Sequence, residues 1–244
     1  MRAAESELPP DARLFVDPFA RLFASEPEAH ELAEQFTAVP FVREQVRVRT
    51  RFIDEFVRQG VADGFRQIVI LGAGFDCRAL RLAEIAATGS KVYEVDFREQ
   101  LEKKRAVLAA ASVAIPERLR FVACDFNAAD FESSLVGGLV AEGFSVGGLT
   151  LFLWEGVITY LTASEIDRTL SWMATVSAPR SRVVFNYTIN HLAGNVPEAM
   201  RARAKAAGFT SVDDRSAGSV YREYVKAEPP SDVADLFRLA VAIR

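Results

Sequence analysis

The chain of 244 residues is poor in several things, and each shortage removes a class of protein. Its two cysteines, Cys77 and Cys124, cannot make a disulfide framework, so a reducing cytoplasm is the expected compartment. Two histidines, His30 and His191, together with scattered cysteines do not supply the clustered ligands of a zinc site, and no metal is expected. No apolar run is long enough to span a bilayer, and the amino terminus lacks the pattern of a secretory signal. Net charge is −4 with no long basic run, which argues against a nucleic-acid partner. Internal repeats and low-complexity segments are absent as well.

What is present points to a packed enzyme-like domain. Half of the residues are hydrophobic and 25% are charged, enough to build a sizeable core in one large α/β domain or two small ones. The informative stretch runs from Arg66 to Gln100. Ile68 to Leu71 is an apolar run that suits a strand buried on both faces. Gly72-Ala73-Gly74 follows, where missing side chains let the backbone turn sharply and approach a ligand. Leu80, Leu82, Ile85 and Ala86 then recur at helical spacing, and a second strand, Lys91 to Val95, delivers Asp96. Strand, glycine turn, helix, strand and acid form the first half of a dinucleotide-type fold, whose acid accepts from ribose hydroxyls.

The glycine count selects a branch of that fold. A diphosphate cradle takes G-x-G-x-x-G, but here the sixth position is Cys77 and the turn contains Asp76, the wrong charge for an anion. The turn suits a nucleoside cofactor without phosphate, a description that S-adenosylmethionine (SAM) fits.

Along the rest of the chain, residues 1 to 40 read as a helical preface with turns at Asp17-Pro18 and Glu26-Pro27, and His30 reads as a solvated helix residue. The next helix, Phe41 to about Gln59, carries Arg49 inside an apolar stripe of Val42, Val46, Phe52, Ile53, Phe56 and Val57. A guanidinium facing a core needs an anion: either a structural acid or a ligand carboxylate such as SAM's methionine end. Helices are expected over Leu101–Ala114, Asp130–Leu139 and Val196–Ala207, with strands at Arg120–Ala123, Arg182–Phe185 and Leu236–Ile243.

Asp125 and Phe126, just past the third strand, are either an adenine contact or part of an ordinary turn. Leu149 to Trp154 is an apolar strand ending in Glu155, either a ligand-facing carboxylate at a cleft or a helix N-terminal acid. Thr162 and Glu165 spell a capping box. His191, a few residues past the fifth strand, is a loop histidine or a general base at the cleft mouth.

Taken together, the motifs Val48-Arg49-Thr50, Leu71-Gly72-Ala73-Gly74-Phe75-Asp76-Cys77-Arg78, Tyr93-Glu94-Val95-Asp96, Cys124-Asp125-Phe126, Glu155 to Leu161 and Phe185-Asn186-Tyr187 carry a resemblance. Over roughly residues 41 to 190 the chain resembles the leucine carboxyl methyltransferase-like group of class I SAM-dependent methyltransferases. That group includes enzymes that methylate a protein's terminal carboxylate and bacterial relatives acting on polyketide-type small molecules. The resemblance implies a Rossmann-like, mostly parallel sheet with helices on both faces, an N-terminal helical lid over residues 1–60 and a SAM-binding core over residues 61–244.

By position it implies Arg49 on the methionine carboxylate, Gly72 and Gly74 as the cofactor floor, Asp96 on the ribose, Asp125 and Phe126 on the adenine, and Glu155 on the amino group. Departures are Phe97-Arg98 where the family often has proline, and Cys77 in place of Thr or Ser. The implied activity is O-methylation of a carboxylate or acidic hydroxyl on a small molecule, with His191, Tyr160 and Tyr187 the candidates for a base should one be needed. Two other readings stay open at this level. An NAD(P)-dependent oxidoreductase shares the half-fold but lacks its third glycine and a Tyr-x-x-x-Lys donor here. A SAM-binding module without turnover would keep the same pocket.

Overall fold

The structure is a computed structural model that describes residues 1–24, 39–126 and 128–244. The expectations for Glu26-Pro27 and His30 lie outside the described residues. In chain order the helices are α1 (Arg2–Ser6), α2 (Ala20–Ala24), α3 (Val42–Ala62), α4 (Arg78–Arg81), α5 (Ala83–Thr88), α6 (Arg98–Ala110), α7 (Phe131–Ala141), α8 (Ala163–Val176), α9 (Pro197–Ala206) and α10 (Ala217–Val225). The strands are β1 (Gln67–Leu71), β2 (Lys91–Asp96), β3 (Leu119–Ala123), β4 (Thr150–Trp154), β5 (Arg182–Thr188), β6 (Ser211–Ser216) and β7 (Phe237–Ile243). They form one sheet in the order β3-β2-β1-β4-β5-β7-β6. The first five strands in that order run parallel, and β7 is antiparallel to both β5 and β6.

Both faces of the sheet are covered, as near-continuous apolar strands require. Alternation along β1 sends Ile68 and Ile70 to one face, where Ile53, Val57 and Val61 of α3 and Ile85 of α5 pack. Val69 and Leu71 meet the opposite layer, with Leu135 and Leu139 of α7, Leu170 and Met173 of α8, and Met200 of α9. The capping box at α8 forms as the sequence implies: Thr162 Oγ1 accepts from the Glu165 amide at 3.3 Å, and the Thr162 amide donates to Glu165 Oε2 at 2.6 Å. Among the described residues, no helix is long and apolar enough to cross a membrane.

Several boundaries differ from the sequence expectation. The helix expected from Phe41 starts at Val42, because Phe41 takes a left-handed φ of 66° as its cap. Its buried residues include Gln45, Val48, Thr50, Ile53, Asp54 and Val57, so Val42, Val46, Phe52 and Phe56 of the expected stripe are not fully buried. The segment after the glycine turn is two short helices, since Leu82 is extended at ψ 105° and breaks the run. The helix expected at Leu101–Ala114 starts earlier, at Arg98, and stops at Ala110. Beyond α9 the sequence expectation held one strand. The structure adds β6 and α10 before it, and β6 is a polar edge strand (Ser-Val-Asp-Asp-Arg-Ser) paired to the sheet by β7.

Candidate cofactor site at the carboxyl ends of the parallel strands

Strand register brings the site together. Ile70 of β1 pairs with Glu94 of β2 on one side and with Leu153 of β4 on the other. Two residues further along each strand stand Gly72, Asp96 and Glu155, so these three lie side by side at one level. On the outer side Asp96 pairs with Ala123, which puts Asp125 two residues beyond that level. This carboxyl edge is where open α/β sheets bind ligands.

The turn between β1 and α4 leaves room there because of its glycines. Gly72 has φ +64°, and a Cβ on it would lie 2.4 Å from Val157 Cγ2. Gly74 has φ +48°, and a Cβ there would meet nothing within 4 Å, because the backbone at that point borders open space. Asp96 fixes the turn from the side: its Oδ2 accepts from the Gly74 amide at 2.7 Å and its Oδ1 from the Phe97 amide at 2.7 Å. A carboxylate offers about four acceptor directions, so Asp96 retains capacity toward the cleft.

A cavity of about 200 Å³ opens over the turn, lined by Arg2, Arg49, Gly72, Gly74, Asp76 and Glu155 among others. Arg49 and Glu155, 106 positions apart in sequence, meet there: Arg49 Nε donates to Glu155 Oε1 at 2.7 Å. The other carboxylate oxygen, Oε2, accepts from Arg78 Nη1 at 2.7 Å. Arg78 is fully buried and also donates from Nε to Asp54 Oδ1 at 2.8 Å and from Nη1 to Asp76. Arg81 completes the cluster, holding both oxygens of Asp54 at 2.6 Å.

Three cations and three anions therefore balance: Arg49, Arg78 and Arg81 against Asp54, Asp76 and Glu155. Burial would raise the Glu155 carboxyl, but the Arg78 and Arg49 guanidiniums outweigh it and hold that carboxyl well below the usual range. The same contest at Asp76, with Arg78 as the main partner, also ends with the carboxyl lowered. Arg78, in turn, is held above its ordinary value because Asp76, Glu155 and Asp54 offset its burial.

Arg49 thus has a protein acid beside it, and that acid is itself a cleft residue. The desolvation argument from sequence found both partners but not their contact. Phe126 is buried with its ring 5.8 Å from that of Phe131, and Asp125 is exposed. The exposed aromatic next to the site is Phe97, directly after Asp96 and 45% accessible.

The three base candidates are dispersed. Tyr187 is 1% exposed, and its hydroxyl donates to Asp214 Oδ2 at 2.5 Å, while Arg238 Nε donates to Asp214 Oδ1 at 2.9 Å. Burial and the Asp214 carboxylate push that phenol well above its ordinary value, with its proton held by Asp214. Tyr160 is 76% exposed on the turn after β4. His191 lies exposed at the tip of a tight loop closed by Asn190 and Asn195, which exchange backbone hydrogen bonds of 3.0 and 2.9 Å. Both cysteines are buried, and burial pushes the thiols of Cys77 and Cys124 up to about 12 and about 11.

Sequence reasoning missed Arg2, Arg78 and Lys104. Arg2 reaches the turn from α1, donating to the Phe75 carbonyl at 3.0 Å. The signal for Arg78 was available: an arginine directly after a glycine turn, beside Asp76 and one helical step from buried apolar positions.

This strand order, with one antiparallel strand inserted next to the last parallel one and the open cleft at β1, defines the class I methyltransferase fold. Solved structures agree. A protein from Thermobifida fusca, provisionally named a methyltransferase, superposes with a TM-score of 0.61 over 92% of this chain and 94% of its own, at 15% identity. An O-methyltransferase family protein from Burkholderia thailandensis gives 0.53 over 91% of this chain and 61% of its own, at 14% identity.

Within that class, the sequence profile of the leucine carboxyl methyltransferase family matches residues 1–174, and the chain belongs to that family. A relative from Mycolicibacterium vanbaalenii, provisionally named an S-adenosyl-L-methionine-dependent methyltransferase, is 38% identical over 169 residues, 68% of this chain and 53% of the relative. One from Frankia alni with the same kind of name is 34% identical over 181 residues, 70% of this chain and 60% of the relative. The chain therefore spans about half the length of the curated relatives it matches.

Proposed function

We propose that this chain binds SAM at the carboxyl ends of β1, β2 and β4 and transfers its methyl group to an oxygen of a small molecule. The acceptor is a carboxylate or an already acidic hydroxyl, of the kind found in polyketide-type secondary metabolism. The observation that carries this reading is the Arg49–Glu155 pair at 2.7 Å in the cavity over the glycine turn. A guanidinium and a carboxylate side by side complement a ligand that ends in an α-amino acid, with its carboxylate toward Arg49 and Arg2 and its ammonium toward Glu155. Asp96, at the same level on β2, suits the ribose hydroxyls. Phe97 or Phe126, with Asp125, would flank the adenine. Of the lid expected over residues 1–60, α3 belongs instead to the core, since its Ile53 and Val57 pack on the sheet, and only the part before α3 would act as a lid over the rest of the chain.

SAM, when bound, supplies an activated methyl group on a sulfonium. The chain's own contribution is to orient the two partners and exclude water, which can account for much of the rate of an in-line displacement. Support for an ionised acceptor comes from the base candidates: Tyr187 is buried against Asp214, and Tyr160 and His191 are exposed. An acceptor that is already anionic needs no base.

The test is ligand-induced stabilisation followed by turnover. SAM or S-adenosylhomocysteine at a hundred times its dissociation constant should add about 2.7 kcal/mol, and so raise Tm by roughly 5–11 °C in a chain of this size, while NAD should add nothing. Labelled SAM with a panel of carboxylic acids and phenols then identifies the acceptor. Stabilisation by NAD and none by SAM would refute the proposal in favour of the oxidoreductase reading.

A further inference from the structure

Behind the glycine turn, out of reach of solvent, lies a second ion pair that the cleft does not use directly. Lys104 of α6 and Glu94 of β2 are both fully buried, and Lys104 Nζ donates to Glu94 Oε2 at 2.5 Å. The same ammonium donates to the main-chain carbonyl of Asp76, the residue that closes the turn. That turn is itself bonded, with the Asp76 amide donating to the Ala73 carbonyl at 2.8 Å and the Ala73 amide donating to the Val95 carbonyl at 3.0 Å. From Asp76 the contacts continue forward, since its Oδ1 accepts from the Arg78 amide at 2.7 Å and Arg78 holds Glu155 at 2.7 Å. A continuous run of hydrogen bonds thus leads from Glu94 on β2 to Glu155 in the cavity.

Taking a lysine and a glutamate wholly out of water is expensive, and a neutral pair would fill the space as well. Nor is the pair fully satisfied, because Glu94 Oε1 has no hydrogen-bond partner. Its placement is specific all the same. Glu94 and Asp96 are two apart on β2 and share a side of the strand, so one strand presents an acid that holds the turn's amide and an acid that holds the lysine gripping its carbonyl.

We propose that Lys104 and Glu94 are positioning residues for the cofactor cleft: the ammonium that Glu94 holds grips the Asp76 carbonyl and so sets the turn over which the ligand lies. This rests on the SAM reading for the identity of the ligand, though not for the effect on the turn. The charged groups around Glu94 are Lys104 on α6, Asp76 in the turn and Asp96 on its own strand. Burial raises the Glu94 carboxyl, against the pull of Lys104 and with a smaller push from Asp76 and Asp96, up to about 7. Above that value the carboxylate holds the ammonium; below it the pair is lost.

The sign for stability is the reverse. A carboxyl raised on folding favours the folded state most at low pH, and this contribution declines as pH climbs from the ordinary carboxylate range to about 7. A purely structural pair would therefore alter the pH dependence of stability alone, whereas a positioning pair also alters the turn and the ligand.

The experiment measures two quantities between about pH 5.5 and 8.5, a window that brackets the Glu94 titration. One is amide hydrogen exchange over residues 73–78 of the unliganded chain, corrected for intrinsic rates. The other is the dissociation constant of S-adenosylhomocysteine by calorimetry. In the wild type, protection of the turn should rise and the dissociation constant should fall, each by about tenfold, on the scale of coupling between groups sharing one network. Glu94→Gln should flatten both profiles. The double variant Glu94→Gln with Lys104→Met, which leaves no buried charge unpaired, should flatten them too and guards against a single variant that folds poorly. Profiles in either variant that track the wild type would overturn the proposal, whatever happens to Tm. If the wild type binds no S-adenosylhomocysteine, the cofactor reading falls, and the exchange profiles still decide whether the pair sets the turn.

Discussion

Replacing Arg49 with Met and Glu155 with Gln, singly and together, should give losses of stability that do not add. In Glu155→Gln the two guanidiniums that share the carboxylate, Arg49 Nε and Arg78 Nη1, each at 2.7 Å, face a neutral amide with a single acceptor. Breaking a buried pair from one side typically costs about 3–5 kcal/mol. Glu155 keeps 13% side-chain exposure, and Arg78 keeps Asp54 and Asp76, so about 2–3 kcal/mol is expected. That corresponds to a fall in Tm of roughly 4–12 °C.

Arg49→Met removes one of two partners from Glu155, whose remaining partner is Arg78, and should cost about 1–3 kcal/mol, the range for a charged hydrogen bond. The two changes share one contact, so the double variant should fall short of the sum by about 1–2 kcal/mol. Urea unfolding of the four proteins at neutral pH measures this directly. Glu155 is held below its unfolded value, so its contribution is present above the ordinary carboxylate range and is lost as pH falls through and below that range. The gap between wild type and Glu155→Gln should therefore narrow on acidification. Additivity within about 0.5 kcal/mol, or a gap that persists into acid, would refute the pairing.

Three further substitutions separate crowding and general-base chemistry from simple damage. Gly72→Ala, whose new Cβ would lie 2.4 Å from Val157 Cγ2 at φ +64°, should cost about 2–4 kcal/mol in urea unfolding, and Gly74→Ala, with open space around it, should cost less; the reverse order would contradict the close approach at Gly72. His191→Ala should lower turnover by less than about tenfold at saturating acceptor, whereas a loss of about a hundredfold with cofactor binding intact would make it the general base.

Much of the site was legible because its residues break local rules. Arg49 within an apolar helical stripe and Glu155 ending a buried strand both stand out on desolvation grounds, and the structure joins them. Asp96 was legible from the strand–turn–helix–strand order alone. Lys104 was not, because it sits in the run Glu102-Lys103-Lys104-Arg105, which reads as a solvated helix face. Only its spacing, three after Leu101 and four before Leu108 on the buried stripe of α6, marks which of those cations points inward. Arg78 was legible in principle, from its place after the glycine turn beside Asp76. Strand β6 escaped because its alternation is set by an exposed edge: Ser211 to Ser216 carries two aspartates and one valine, and β7 supplies its apolar context.

The placement of β7 between β5 and β6 has a consequence for how the chain is made. Every ladder among β1 to β5 joins strands complete by residue 188, and all the groups lining the cleft have been synthesised by Glu155. Yet the outer edge of β5, with Val183, Val184 and Phe185 behind it, finds its neighbour only in residues 237–243, and β6 has no other route into the sheet. At roughly 5–20 residues per second, the nascent chain exposes that open edge for several seconds after the site itself can assemble. The strands that carry the proposed cofactor cleft are finished early, and β7 joins β6 to them last.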